Sequence, residues 1–452
     1  MKLSPLFAAL LLIAAACSDD QPSIGDNGIS SPGFEAELGE QTVMMPEDVV
    51  EQALTDYDTE DHVYTFDVSQ LDQAGIELQS GEILLIAGVA LRRITNVVEQ
   101  NGQVTVETDF ATLPEAFENA SINYSEVLRF TPEVAEKTVI EFMGKELAPT
   151  SIQEDGKIEW EYELGDWTIK GIVDPRDVEV YVGIEARVEK DMANAAYIME
   201  TTIKEMATDA NINIADHETK EFGFRSTNIG GEMKLKFVGA GGVSPDVQWG
   251  PRAIFRYPFM IGPIPGVMSI NTRTANRLEL PNQGFAEAEV TLSYSGDTGF
   301  TYEDGSIDHI ADGGIDSPNR GRTEWNAGAH VGYTADMQWG IAIPEFSFSL
   351  FGNTVVPSLR PEFYLRTSFT WPGACTRVST AYEINAALAF RLLGVTLANP
   401  SRNIITPWEW SRSEGNCGDG KQLNPADIDL LRIADYNQQA DGAEVPYVLA
   451  RP

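Results

Sequence analysis

Cysteine occurs three times in 452 residues, histidine four times, and 31 basic residues face 69 acidic ones. Each shortage excludes something. His62, His217, His309 and His330 are isolated, with no CxxC or HxxxH spacing, so a zinc site lacks ligands. A net charge of −38 repels another polyanion, which excludes DNA and RNA as natural partners. No Gly-x-Ser-x-Gly elbow is present, and so few scattered histidines argue against a Ser-His-Asp triad. Neither a Walker loop nor a Gly-x-Gly-x-x-Gly turn opening a helix occurs, so nucleotide chemistry has no support. Beyond the first residues, no run is long and apolar enough to span a bilayer as a helix. What is abundant is core-forming material: 43% of residues are hydrophobic and 22% charged, the composition of a folded chain.

The start of the chain carries an address. Met1-Lys2, an apolar stretch from Leu3 to Ile13 and Ala14-Ala15-Ala16-Cys17 fit the pattern of a signal peptide and are too short to cross a membrane as a helix. Its end resembles the lipobox of bacterial lipoproteins, whose cysteine receives a diacylglyceryl group and becomes the new N-terminus. That cysteine would be Cys17, although Ala14 stands where the lipobox usually has leucine. The alternative is an ordinary secretory signal cleaved near Ala16. Each buried methylene of an acyl chain contributes about 0.8 kcal/mol, so several chains on Cys17 would anchor the protein stably. Ser18 resembles the outer-membrane sorting residue of Gram-negative lipoproteins, and Asp19-Asp20 resemble the export signal of some surface lipoproteins or simply begin a linker. Residues 17–45, rich in Gly, Ser, Pro, Asp and Glu, are expected to be an acidic flexible tether.

Cys375 and Cys417 are an even pair in a chain sent to an oxidising compartment, and a disulfide between them is expected. Closing that loop would stabilise the fold by about 4 kcal/mol in the chain-entropy model.

The expected fold is mainly β: a large antiparallel sheet or sandwich of long strands over 149–418, preceded by a small α+β module over 46–148 and followed by a helix and tail over 419–452. In the small module, Pro46 with Glu47 and Asp48 opens a helix. Asn101-Gly102 between two β-branched runs marks a hairpin, because both turn residues must accept positive φ. Thr112, Pro114 and Glu115 start another helix, and a third is predicted from Thr131 to Phe142. In the large domain, Ile158, Trp160, Tyr162 and Leu164 alternate with Lys157, Glu159, Glu161 and Glu163, which predicts a half-buried strand. The same period runs from Val178 to Val188 and recurs at Met233–Phe237, Ala286–Tyr294, Phe346–Leu350 and Phe363–Phe369. Residues 192–210 suit a helix better, through Met192, Ala195, Met199, Ile203 and Met206, with a strand as the alternative.

The Pro-rich segment Tyr257–Gly266, the alternating strands after Ala286, and Leu359-Arg360-Pro361-Glu362-Phe363 with Ala386–Leu393 resemble a loosely defined group of secreted, β-rich bacterial proteins of unknown function. The likeness covers the second half of the chain and implies no catalytic residue.

Three constellations remain. Asp304, Asp308 and Asp312, among flexible glycines, offer oxygen ligands for a structural calcium ion, though the spacing matches no standard calcium loop and a solvated loop is the simpler reading. Asp419-Gly420-Lys421 and Asp427 resemble an EF-hand or dockerin loop out of register, and Asn424-Pro425-Ala426-Asp427 reads better as a helix start. Of the eight tryptophans, Trp408 and Trp410 would share one strand face and so be buried or presented together, the latter suiting a glycan or other ligand. The resulting expectation is an outer-membrane or cell-surface lipoprotein, its leaflet orientation open, with a non-enzymatic binding or structural role. It needs no cofactor unless a structural calcium, and its partners are the membrane through Cys17 and a glycan, envelope protein or hydrophobic molecule. The rivals are a carrier of lipid or another hydrophobic ligand in a groove, a transmembrane β-barrel, and a secreted glycoside hydrolase working through two carboxylates. Sixty-nine acidic residues supply such a pair anywhere, so no catalytic residue is assigned.

Overall fold

In the computed structural model, the described residues are 23–24, 28–58, 61–142, 145–164, 167–176, 178–190, 193–240, 251–279, 285–303, 305–315, 324–330, 335–370, 375–387, 391–395, 401–403 and 408–414. They form three sheets, of fourteen, nine and six strands. The protein is mainly β, as its alternating patterns predict, and the two larger sheets are antiparallel throughout.

The six-stranded sheet runs Thr42–Met45, Ile83–Ile86, Ala90–Gln100, Gln103–Phe110, Val63–Asp67, Leu54–Asp58, with only the first pair parallel. Asn101 and Gly102 adopt φ of 58° and 78° and close the expected hairpin. Helix Glu47–Ala53 follows Pro46 as predicted, and helix Val68–Ala74 is capped by Asp67, whose carboxylate accepts from the N–H groups of Ser69 and Gln70. Both helices pack on a core with Tyr64, Phe66, Leu84, Ile86 and Val106. Ile83-Leu84-Leu85-Ile86 is apolar at every position because both of its faces are covered. Leu84 and Ile86 enter this core, whereas Ile83 and Leu85 enter the larger one beneath.

That larger core joins the other two sheets. Ring centroids of Phe224 lie 6.2 Å from Phe346 and 6.1 Å from Phe348; Tyr124 lies 4.3 Å from Phe259, and Phe130 lies 5.1 Å from Phe255. In each pair one ring comes from the fourteen-stranded sheet or the segment just after its Phe117–Leu128 strand, the other from the nine-stranded sheet. The two inner faces therefore interlock as a sandwich through a layer of aromatic rings. The longest strand, Glu218–Ala240, has 23 residues and spans about 75 Å.

Three expectations need correction. Residues 28–45 are not tether: Gly28–Ser31, Phe34–Leu38 and Thr42–Met45 are strands, and Phe34-Glu35-Ala36-Glu37 alternates buried and exposed. The polar composition concealed this period of two. The helix expected over 131–142 stops at Glu136. Val139–Phe142 instead pairs with Pro251–Ile261, because β-branched Val139 and Ile140 gain more from burial in the sheet than from another helical turn. Residues 193–204 and 206–215 are strands rather than the favoured helix. Tyr197, Met199, Thr201 and Ile203 are buried at odd positions, and Met206, Thr208 and Ala210 at even ones. The break at Glu205 switches parity, so Met199, Ile203 and Met206 acquired a false helical spacing.

Candidate functional site

The sites expected from sequence fall in different places. Cys17, Asp304, Cys417 and the predicted C-terminal helix lie outside the described residues. Cys375 opens the Cys375–Ala387 strand, opposite Thr370. Asp308 and Asp312 sit on the Ser306–Ile315 strand, opposite Thr301 and Asp297. Four residues of extended chain hold their backbones about 13 Å apart. Among the described residues no group of three His, Cys, Asp or Glu side chains is placed to hold a metal.

Trp408 and Trp410 do share a strand, Trp408–Glu414, and register places them informatively. One row reads Ile341, Phe363, Tyr382, Trp408; the next reads Trp339, Leu365, Thr380, Trp410. Further along the Asn353–Thr370 strand, Leu359 is the register partner of fully buried Phe346.

The fourteen-stranded sheet carries apolar rows of its own. Beyond the aromatic layer, one row runs Trp160, Gly171, Ile184, Met199, Leu235, Val290, and the next runs Tyr162, Ile169, Ala186, Tyr197, Phe237, Ala288. Ile169, Ile184, Ala186, Tyr197 and Met199 are buried. The odd rows lie inward because of a bulge. Below it Phe222, Phe224 and Ser226 face the core; two residues, Thr227 and Asn228, then oppose one, and Ile229 and Met233 take over. Asn228 accepts a φ of 59° there.

Where the face changes parity, a polar row crosses three strands. The Thr208 and Ser226 hydroxyls are 2.9 Å apart, and Thr298 is next in register. All three are fully buried, and the Thr298 hydroxyl has no hydrogen-bond partner among the described residues. Just above, Tyr294 crosses Gly231 and donates to the Thr202 carbonyl at 2.8 Å. Burial pushes its phenol pKa upward. On the nine-stranded sheet, Asn271 and Glu345 are buried directly opposite one another beside a second register shift. Sequence reasoning missed these polar residues, because a hydroxyl or amide at an inward position is recognisable only once the bulges are known.

The outward face of the fourteen-stranded sheet is wholly different. Asn119, Ser121, Asn123 and Ser125 alternate with the buried positions of Phe117–Leu128, beside Asp209, Asn211 and Asn213 of the Met206–Ala215 strand. Short bonds knit this plate: Ser125 donates to Asp209 at 2.6 Å, Asn119 to Glu37 at 2.7 Å and Asn211 to Glu221 at 3.0 Å. Lateral pairing fixes their positions and leaves the plate without an aromatic platform among these strands.

No helix among the described residues is long and apolar enough to cross a membrane. Comparison with known proteins finds no matching family model, no matching curated protein and no matching solved structure.

Proposed function

We propose that this protein is a lipid-anchored protein of the bacterial outer envelope, with a non-enzymatic binding or structural role carried by its two-sheet body. The observation that supports this most is the nearness of body and anchor: Ser23–Ile24 is already a strand of the largest sheet, six positions after the lipobox cysteine. Protease shaving of intact cells, with a periplasmic protein as the lysis control, tests the reading and its orientation. Loss of the sandwich while the control survives means surface display; protection until the outer membrane is permeabilised means a periplasmic body. Recovery of the full-length protein in the soluble fraction, free of membrane, contradicts the anchored role.

A second reading, a carrier of lipid or another hydrophobic molecule, is favoured by the paired rows of apolar residues that continue past the aromatic layer on both sheets. Mass spectrometry of an organic extract of the purified protein separates the two. A stoichiometric amphiphile supports the carrier, and an empty extract supports the structural role.

A further inference from the structure

We infer that the Ser23–Ile24 and Gly28–Ser31 edge of the fourteen-stranded sheet is a membrane-facing surface, held against lipid headgroups by the acylated N-terminus. The inference rests on the lipidation of Cys17 proposed above. Only residues 18–22 separate Cys17 from Ser23. Six Cα steps of extended chain reach at most about 20 Å. The edge is no loose arm. Ser23 and Ile24 pair with Ser30 and Ile29, the Gly28–Ser31 strand pairs with Phe34–Leu38, and that strand pairs with Phe117–Leu128. Ile29 and Phe34 are each 1% exposed and belong to the main core. Neighbouring strands lie about 4.8 Å apart, so core residues sit within about 30 Å of the lipidated sulfur.

The opposite margin is far away. The Ile158–Leu164 strand is the ninth strand across from Ser23–Ile24, which at that spacing is about 43 Å measured along the sheet. The lipid thus selects one edge, and the rest of the sandwich projects from it. Two further features suit this arrangement. An open sheet edge carries unpaired N–H and C=O groups and recruits other chains, so a bilayer lying against it offers protection that no strand among the described residues supplies. The adjoining face exposes Ser30, Glu35 and Glu37, so the contact is with polar headgroups and not by insertion into hydrocarbon. Carboxylates there are repelled by anionic lipid, so the fit is to a zwitterionic surface.

The test uses the full acylated chain in phosphatidylcholine vesicles that contain a headgroup-linked quencher. A fluorophore is attached through a clickable amino acid at position 30 or position 161, with and without ten Gly/Ser residues inserted after Pro22. Quenching is expected to be severalfold stronger at position 30, and the insertion should bring it down to the level of position 161. Equal quenching at the two positions, or indifference to the insertion, overturns the inference. The mass of the N-terminal peptide is read from the same sample: an unacylated Cys17 overturns the parent reading, whereas an acylated chain with equal quenching overturns this inference alone.

Discussion

Arg225 Nη2 lies 2.8 Å from Asp297 Oδ2, and the other oxygen of that carboxylate accepts the backbone N–H of Asn228 at 3.2 Å. One side chain therefore spans the bulge at which the Glu218–Ala240 strand exchanges its inward even positions for inward odd ones. The ion pair itself is half-exposed and contributes little. The bond to the bulge N–H matters more, since it fixes the register on which every apolar row beyond Ser226 depends. Asp297→Ala should lower stability by about 1–2 kcal/mol, and Asp297→Asn, which keeps an acceptor, by less. Urea denaturation of the two variants measures the difference; equal midpoints would show that the bulge needs no tether.

Gly231 and Gly171 both lie in long strands and should respond oppositely to alanine. A Cβ at Gly231 would overlap the Thr202 carbonyl oxygen and crowd the Tyr294 hydroxyl that bonds to it. At Gly171 the nearest atom, on Trp160, is 3.8 Å away, an ordinary contact. Gly231→Ala should cost about 3 kcal/mol or more through displaced backbone, whereas Gly171→Ala should stay within about 1 kcal/mol of the parent and gain from reduced chain entropy. Thermal melts of both proteins decide it.

Phe224 contacts Phe300 within its own sheet and Phe346 and Phe348 across the sandwich. Phe224→Ala should destabilise by about 3–5 kcal/mol, because rings from both sheets surround the resulting cavity. Near-UV circular dichroism should weaken together with the denaturation midpoint. A variant that kept the parent midpoint would show that the two sheets do not depend on this layer.

Stability should fall on both sides of neutrality, for different groups. The Ser69 hydroxyl and the N–H groups of Ser69 and Gln70 hold the Asp67 carboxyl below its ordinary pKa, and Lys157 and Ser151 do the same for Glu159. A lowered folded pKa gives stabilisation that is complete above the unfolded value, near 4, and lost as pH falls through the folded one. Burial raises the phenols of Tyr124, Tyr181 and Tyr257. Their contribution is complete below about pH 10 and lost as pH rises through the folded values. Asp67→Asn, which preserves the helix cap, should flatten the acid limb of a plot of urea midpoint against pH and leave the alkaline limb unchanged. An unaltered acid limb would remove Asp67 from this account.

Much of the fold was legible because strand patterns are local. Ile158-Trp160 and Val180-Val182-Ile184-Ala186 declare an inward face by alternation alone, and all six are buried. Asn101-Gly102 declares a turn by its demand for positive φ. What stayed hidden depends on breaks in that alternation. The shift at Glu205 made two strands resemble one helix, and the bulge at Thr227-Asn228 concealed the alignment of Ser226 with Thr208 and Thr298. For the candidate sites, sequence correctly put Trp408 and Trp410 on one strand. It did not show that their rows run into Phe363 and Tyr382, because that requires pairing across four strands. Asp308 and Asp312 were grouped by proximity in sequence, whereas an extended strand separates them.

The central claim, a body built directly behind a lipid anchor, is tested most directly by the mass of the N-terminal peptide of the mature protein recovered from membranes. The account predicts a peptide that begins at Cys17 and carries acyl chains, and a Cys17→Ser variant released from the membrane fraction. A mature chain that begins with an unmodified residue and is equally soluble with or without Cys17 would contradict it.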